Sequence, residues 1–306
     1  ISLIFIFSSL NSDQLYKYSI FLFFISLISL FLVPFVGVEV KGSKRWIDLF
    51  FLPRFQPIEV LKPFLIIILA TIFCDTRSNI LFKYLISIIL ISVISLLLIA
   101  QPDIGQTLLV VFCWAALIFT SGINIYILLA IFIAGASLLA YLIIFVPKFD
   151  YIQGRIFSFF NRETGTHNFQ SDKAIESITS GGFFGKGIGE GVLKNRVPEA
   201  HTDYIISVIS EEFGVVAIML ILLLFLILIY MVFKKISFET NDKVKLILIG
   251  SISLILMQAT IHVGVNIRLF PTTGMTLPFL SYGGSSIIST SILAGIILNL
   301  TKRKIN

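Results

Sequence analysis

An all-α bundle of membrane-spanning helices, with one large extracytoplasmic loop, is the fold class this sequence predicts. Three observations predict it. The 306 residues are 57% hydrophobic and only 13% charged, about half the charge of a soluble domain, and the mean hydropathy is +1.00. Apolar runs near the ~20 residues needed to cross a bilayer recur along the chain. A single long segment, 147–202, interrupts them with glycines and mixed charge. A soluble domain with one buried core is excluded.

Taken in order, the apolar runs predict spans at 1–11 (the tail of one), 15–37, 57–75, 80–100, 104–121, 124–146, 203–233, 244–266 and 283–301. The connector TSGIN at 120–124 is too short for anything but antiparallel neighbours. The 203–233 run is long enough that its ends project from the hydrocarbon or it tilts. Residues 1–306 form one integral membrane domain. The chain begins with Ile1, inside an apolar run, which suggests that the natural N-terminus lies further upstream. Two polar stretches remain. VEVKGSKRWIDLFFLPRFQ covers 38–56, and 147–202 has aromatics and Ile spaced as in an ordered loop packed on the membrane surface. Cys74 and Cys113 have no metal-ligand spacing and serve as small apolar fillers.

Alternation of the spans puts Lys17, Arg77, Lys83, the cations of 234–245 and Lys302–Lys304 on one side. All ten Lys/Arg there lie in short loops or tails, the kind that set topology, so this side is cytoplasmic. The other side holds thirteen, mostly in the two long polar stretches. No basic block supports nucleic-acid binding. An anionic, lipid-linked substrate on the outer side would explain the cations, with membrane lipid the other partner.

Charges within spans are functional candidates. In QPIEVLKPF, Glu59 and Lys62 share a helix face at i, i+3, either as a structural ion pair or as part of a polar cavity. In QPDIGQT, Asp103 follows Pro102 where a helix begins, a capping position. GSKRWI offers Lys44, Arg45 and Trp46 as interfacial anchors or as phosphate ligands. SGGFFGKGIGEG is not a phosphate-binding P-loop: Ser180 stands where its first Gly belongs and Gly187 where Ser or Thr belongs. Its glycines still let backbone N–H groups approach an anion. His262, within a span, predicts a hydrogen bond to a neighbouring helix. NIRLFPTTGMTLPFLSYGGSS (266–286) combines Pro271 and Pro278 with Gly274, Gly283 and Gly284. Such irregular backbone at membrane depth needs protein or a water-filled cavity around it.

These motifs, with FQPIEVLKP and PEAHTDYIISVISEEFG, occur in the order of the SEDS family, the polytopic FtsW/RodA/SpoVE proteins. The sequence resembles that family between residues 36 and 286, and PEAHTD and GVEVKGSKRWI resemble its division branch. It departs from the family at Ile58, where Ser is usual, and at Arg268, where a small or neutral residue is common. Arg268 would add to the outer positive field.

The resemblance implies ten spans, of which this chain has eight and a stub. It also implies a peptidoglycan glycosyltransferase that polymerises lipid II and releases undecaprenyl pyrophosphate. The setting would be the outer face of the bacterial inner membrane, at the division septum. The partners would be lipid II, a class B penicillin-binding protein that cross-links the strands, and other divisome membrane proteins. Asp203 matches the family's essential acid and would be the general base for the acceptor 4-hydroxyl; the alternative is a helix cap.

Lys44, Arg45, Arg54, Lys62 and Arg196 would face the pyrophosphate. A groove lined by Lys44, Arg45, Glu59, Lys62, Asp103 and Asp203 follows, supported by Trp46, His201, Thr202, Ser281, Gly283 and Gly284. Glu211, eight residues beyond Asp203 and about 12 Å along the helix, is too far for the same sugar. It and Glu212 would organise helix packing or a lipid path. No ligand cluster marks a metal site, although pyrophosphate chemistry makes Mg2+ or Mn2+ a candidate cofactor. The rival classes are a lipid II flippase and a scaffold without chemistry.

Overall fold

The computed structural model describes residues 1–40, 43–49, 52–160 and 166–302. Gly42 of GSKRWI, residues 161–165 of the long loop, and Arg303 and Lys304 lie outside them. The chain forms two compact units, Ile1–Ser121 with Leu226–Gln258 and Tyr282–Asn306, and Gly122–Phe225 with Ala259–Ser281.

In the first unit, α1 (Ser2–Ser9) and α2 (Ser12–Val36) lead into three short antiparallel strands, β1 (Val38–Val40), β2 (Ser43–Leu49) and β3 (Leu52–Phe55), in the order β1-β2-β3. Val38 pairs with Trp46, Glu39 with Lys44, and Ile47 with Phe55. Then come α3 (Pro57–Phe73), α4 (Ile80–Ala100) and α5 (Ile104–Thr120). Helix α3 is central: it packs on α2, α4, α5 and α11 (Gly284–Thr301) and buries most of its residues. Its N-terminus is set by Pro57 in the first turn, where the missing N–H costs nothing. Asn79 caps α4 by accepting from Leu81 N, and Asp103 caps α5 by accepting from Gln106 N.

The basic ends of this unit gather at one end of the bundle. Lys243 Nζ lies 3.6 Å from the centre of the Tyr16 ring, and Lys83 Nζ donates to Phe73 O. Asn299 Nδ2 donates to the carbonyls of Phe7, Ser8 and Leu10, and Lys302 Nζ to Ser8 O. This is the side the charge distribution assigns to the cytoplasm. Cys113 is buried, with Sγ 3.6 Å from Gly250 O, and Cys74 is a free thiol.

In the second unit, α6 (Ile125–Phe145) is followed by a 3-10 turn (Pro147–Phe149), α7 (Asp150–Phe160) and α8 (Thr166–Gly181). A further 3-10 turn (Leu193–Arg196) precedes α9 (Ile205–Phe238). The described part of the 147–202 loop therefore carries two α-helices and two 3-10 turns. Among the described residues six helices are long and apolar enough to span a membrane: α2, α4, α6, α9, α10 (Asp242–Asn266) and α11. The protein is a multi-pass membrane protein.

One span differs from expectation. The 203–233 run is not a single straight helix, because Gly214 sits inside α9 at φ 78°, ψ 179° and divides it in two. That conformation is open essentially to glycine alone. Ile206 at the start of α9, Ala259 on α10 and Leu277 on the irregular segment share a buried cluster with Ile205, Ile218, Phe225 and Val263. This core holds Leu277 of the unwound segment against the two helices.

Candidate functional site

The residues singled out in the sequence fall into two polar clusters, one in each unit. Lys44, Arg45, Glu59, Lys62 and Asp103 belong to the first unit and Asp203 to the second.

In the first unit, the α-helical register puts Glu59 and Lys62 on one face of α3. Lys62 Nζ donates to Glu59 Oε1 at 2.9 Å and to Gln106 Oε1 at 3.0 Å, while Gln106 Nε2 donates to Glu59 Oε1 at 2.6 Å. All three are buried, so the triad is a lock between α3 and α5 rather than a surface open to substrate. Asp103 is likewise buried, and its carboxylate accepts from Gln56 Nε2 at 2.8 Å. Burial pushes the Asp103 carboxyl above the usual range, and the nearby Arg45 charge opposes that. Gln56 N in turn donates to Ser285 Oγ at 2.8 Å. The FQPIE, QPDIGQ and YGGSS motifs thus meet at one point. Gly283 is the N-cap of α11 and Gly284 its first residue.

Arg45 spends its planar fork on the α4–α5 turn. Nε donates to Gln101 O at 3.1 Å, Nη2 to Pro102 O, and Nη1 lies 3.6 Å from Asp103 Oδ1. Its neighbour Lys44 is exposed on β2 and Trp46 is half-buried. Arg54 does not join this cluster: it pairs with Asp48 at 2.9 Å on the exposed sheet surface.

In the second unit, Asp203 sits in the turn that leads into α9, partly exposed. The backbone around it is held from several directions. Asp203 N donates to Glu199 O at 3.1 Å, and Asp203 O accepts from Asn266 Nδ2 at 3.0 Å. Thr202 O accepts from Ser281 Oγ at 2.6 Å, and Ser281 Oγ itself accepts from Leu277 N at 2.8 Å. His262 Nδ1 lies 2.7 Å from Met275 O, so its partner is the unwound segment and not a neighbouring helix. Gly274, at φ 66°, passes over the acid: a Cβ there would lie 3.5 Å from Asp203 Oδ2.

Arg155, on α7, donates to Thr272 O at 3.2 Å. The buried Tyr204 hydroxyl is pushed up in pKa by burial and by the Asp203 charge, while Arg155 opposes, which puts the guanidinium within electrostatic reach of this turn. Reading the sequence for intramembrane charge overlooks Arg155, because α7 lies in the polar segment. His201 and Arg196 are exposed. Arg268 does not add to the outer positive field, since its guanidinium pairs with Asp172 on α8.

Glu211 and Glu212 have a definite task. The glycine-rich loop does bring backbone N–H groups to anions, and the anions are these two side chains. Glu211, fully buried, accepts from Leu193 N at 2.9 Å, Lys194 N at 2.6 Å and Ser177 Oγ at 3.0 Å. Glu212 accepts from Gly189 N at 3.2 Å and from Lys194 Nζ. Lys186 N and Gly187 N donate to the carbonyls of Glu211 and Glu212, and Val215 N and Val216 N to those of Gly182 and Phe183. The approach is so close that a Cβ on Gly181 would lie 1.9 Å from Ser210 O, and one on Gly185 2.2 Å from Glu212 O.

Among the described residues no group of three or more His, Cys, Asp or Glu could hold a metal ion. The arrangement offers instead a partly exposed carboxylate on a backbone fixed by α7, α10 and the unwound segment.

A family model described as cell cycle protein, FtsW/RodA/SpoVE, matches residues 1–306. A probable peptidoglycan glycosyltransferase FtsW of Caulobacter vibrioides is 32% identical over 304 residues, covering 97% of this chain and 75% of the relative. A protein of the same description from Enterococcus hirae is 32% identical, covering 91% and 73%. Among solved structures, a chain of a peptidoglycan synthase complex that coordinates polymerization and crosslinking superposes with a TM-score of 0.80 at 28% identity, covering 98% of this chain and 85% of the other. The rod shape determining protein RodA of Thermus thermophilus superposes with a TM-score of 0.70 at 29% identity, covering 98% and 82%.

Proposed function

Because the chain belongs to the FtsW/RodA/SpoVE family of cell cycle proteins, we propose that it is a peptidoglycan glycosyltransferase, polymerising lipid II at the outer face of the bacterial inner membrane during division. The observation that carries the mechanism is Asp203, a partly exposed acid in a turn whose backbone is tied to α10 through Asn266 and to the unwound segment through Ser281.

In the step proposed, the acceptor sugar's 4-hydroxyl oxygen attacks the anomeric carbon of the donor. The bond from that carbon to the pyrophosphate oxygen breaks, and undecaprenyl pyrophosphate leaves with the electron pair. Asp203 takes the hydroxyl proton. A carboxylate on a fixed backbone suits this work, since a base held in position needs little reorganisation as the proton moves. Arg196, exposed before α9 in the same unit as Asp203, is a candidate cation for the pyrophosphate, and Lys44 is exposed on β2 of the other unit. Arg45 acts by holding the turn that carries Asp103. Among the described residues no group of three or more His, Cys, Asp or Glu could hold a metal, and no step is assigned to one. Likeness to a chain of a peptidoglycan synthase complex supports a transpeptidase partner of the class B penicillin-binding type, and division supports a place at the septum.

The test is polymerisation of labelled lipid II by purified protein, with and without the transpeptidase and with and without EDTA. Asp203→Asn keeps the shape and removes the proton acceptor, so glycan formation should fall by about 10²–10⁴-fold while lipid II binding persists. Asn caps a helix about as well as Asp, so a variant within a few-fold of the parent would return Asp203 to a structural cap. Lipid II translocation by a protein that forms no glycan would identify a flippase.

A further inference from the structure

The glycine-rich loop carries an exposed apolar tip that the proposed reaction does not use. Phe183, Phe184 and Ile188 are 75%, 85% and 78% exposed. The loop is not free to fold them inward. Its backbone is bonded to α9 on both sides of the break, at Glu211, Glu212, Val215 and Val216, and Glu211 and Glu212 grip its far end. The loop's cations are turned onto those acids, Lys186 towards Glu211 and Lys194 towards Glu212. Glu190 is exposed on the same loop.

The position of the break along α9 says what this tip meets. From the break to the first cytoplasmic lysine, Lys234, the helix carries no charge. Residues 215–233 rise about 27 Å at 1.5 Å per residue, close to the ~30 Å of a bilayer core. The second half of α9 therefore crosses the membrane alone, and Gly214 lies at the outer edge of the hydrocarbon. Phe183, bonded through its carbonyl to Val216, lies at that same edge. Beside it, α9 exposes Phe213, Val216, Met219 and Leu220, the start of a lipid-facing surface.

We propose that residues 182–188 form a wedge that inserts Phe183, Phe184 and Ile188 into the outer leaflet and fixes the α9 break at the membrane boundary. The occupant of this surface is lipid. Phe and Ile partition favourably into the hydrocarbon, and the wedge adjoins the lipid-facing start of α9 through the bond from Val216 N to Phe183 O. The inference rests on the span and the loop geometry, and it holds whether or not Asp203 is the base.

The experiment places a spin label at Phe184→Cys, and separately at Ile188→Cys, in the full chain with Cys74→Ala and Cys113→Ala. The protein is reconstituted in phosphatidylethanolamine–phosphatidylglycerol vesicles. Collision rates with oxygen, which partitions into lipid, and with a water-soluble nickel chelate are compared with those at Met219→Cys and Glu190→Cys. The oxygen-to-nickel ratio at 184 and 188 should approach that at 219 and exceed that at 190 several-fold. A Phe184→Trp protein with native cysteines gives a second reading, through added quenching by lipids brominated near the headgroup. Ratios at 184 and 188 equal to that at 190, with no added quenching, would overturn the proposal. So would labels shielded from both reagents only when the transpeptidase is bound, which would make the tip a protein-docking face.

Discussion

Replacing Glu211 by Ala should release the glycine-rich loop from α9. The side chain is fully buried and is the acceptor for Leu193 N, Lys194 N and Ser177 Oγ at 2.9, 2.6 and 3.0 Å. Alanine leaves those three donors without their acceptor. Each such donor costs about 1–3 kcal/mol, and because the three share one site the sum is not additive. A local destabilisation of about 3–4 kcal/mol follows, or ~10²–10³-fold in the opening equilibrium at about 1.4 kcal/mol per decade. Hydrogen exchange of a peptide covering 189–195, measured in lipid nanodiscs, reads that equilibrium directly. Glu211→Gln should fall between, since the amide keeps one acceptor oxygen but turns an NH2 toward a donor. Exchange of the Ala protein within threefold of the parent, with the rest of the chain still protected, would refute the idea that Glu211 holds the loop.

Gly214→Ala should disturb the same loop, since its Cβ would fall 2.1 Å from Phe183 O at a φ of 78°; Gly182→Ala, with nothing within 4 Å, should cost far less, and exchange of residues 182–194 compares them. Either Glu59→Gln or Lys62→Met alone strands one member of a buried pair and should cost about 3–5 kcal/mol. The double variant should recover most of that in thermal unfolding in detergent, whereas equal melting of single and double variants would show that the pair is not coupled. Arg45→Ala should lower the polymerisation rate and thermal stability together, because the fork ties β2 to the Gln101–Asp103 turn. Arg45→Lys should rescue only in part, since an ammonium cannot match that planar fork; full rescue would reduce Arg45 to a charge.

The spans were legible in the sequence because a bilayer imposes one simple requirement, an apolar run of fixed length, and α4 at Ile80–Ala100 begins and ends where the hydropathy does. Outside the bilayer that requirement lapses. Helix α8, THNFQSDKAIESITSG, buries only a thin stripe that includes Ala174 and Ser177, too little to stand out within a Gly-rich, mixed-charge stretch. The sheet left a fainter trace in two alternating runs, VEV and SKRWIDL, separated by Lys-Gly. The break at Gly214 left none, since a glycine in an apolar run is common and only the crossing of Phe183 explains it.

The acids show the limit most clearly. Asp203, Glu211 and Glu212 lie within ten residues of one another, and nothing in that stretch separates a base from a brace. What separates them is burial, since Glu211 is fully buried and Asp203 partly exposed. Glu211 is closed off by residues 177–194, which fill its oxygens with backbone N–H groups and a hydroxyl. At Asp203, Asn266 donates to the residue's own carbonyl and Ser281 to that of Thr202, and the side chain is partly exposed beside Gly274. A fully buried carboxylate whose oxygens are filled by backbone donors is a structural anchor, whereas the partly exposed one at the mouth of α9 is the proposed base.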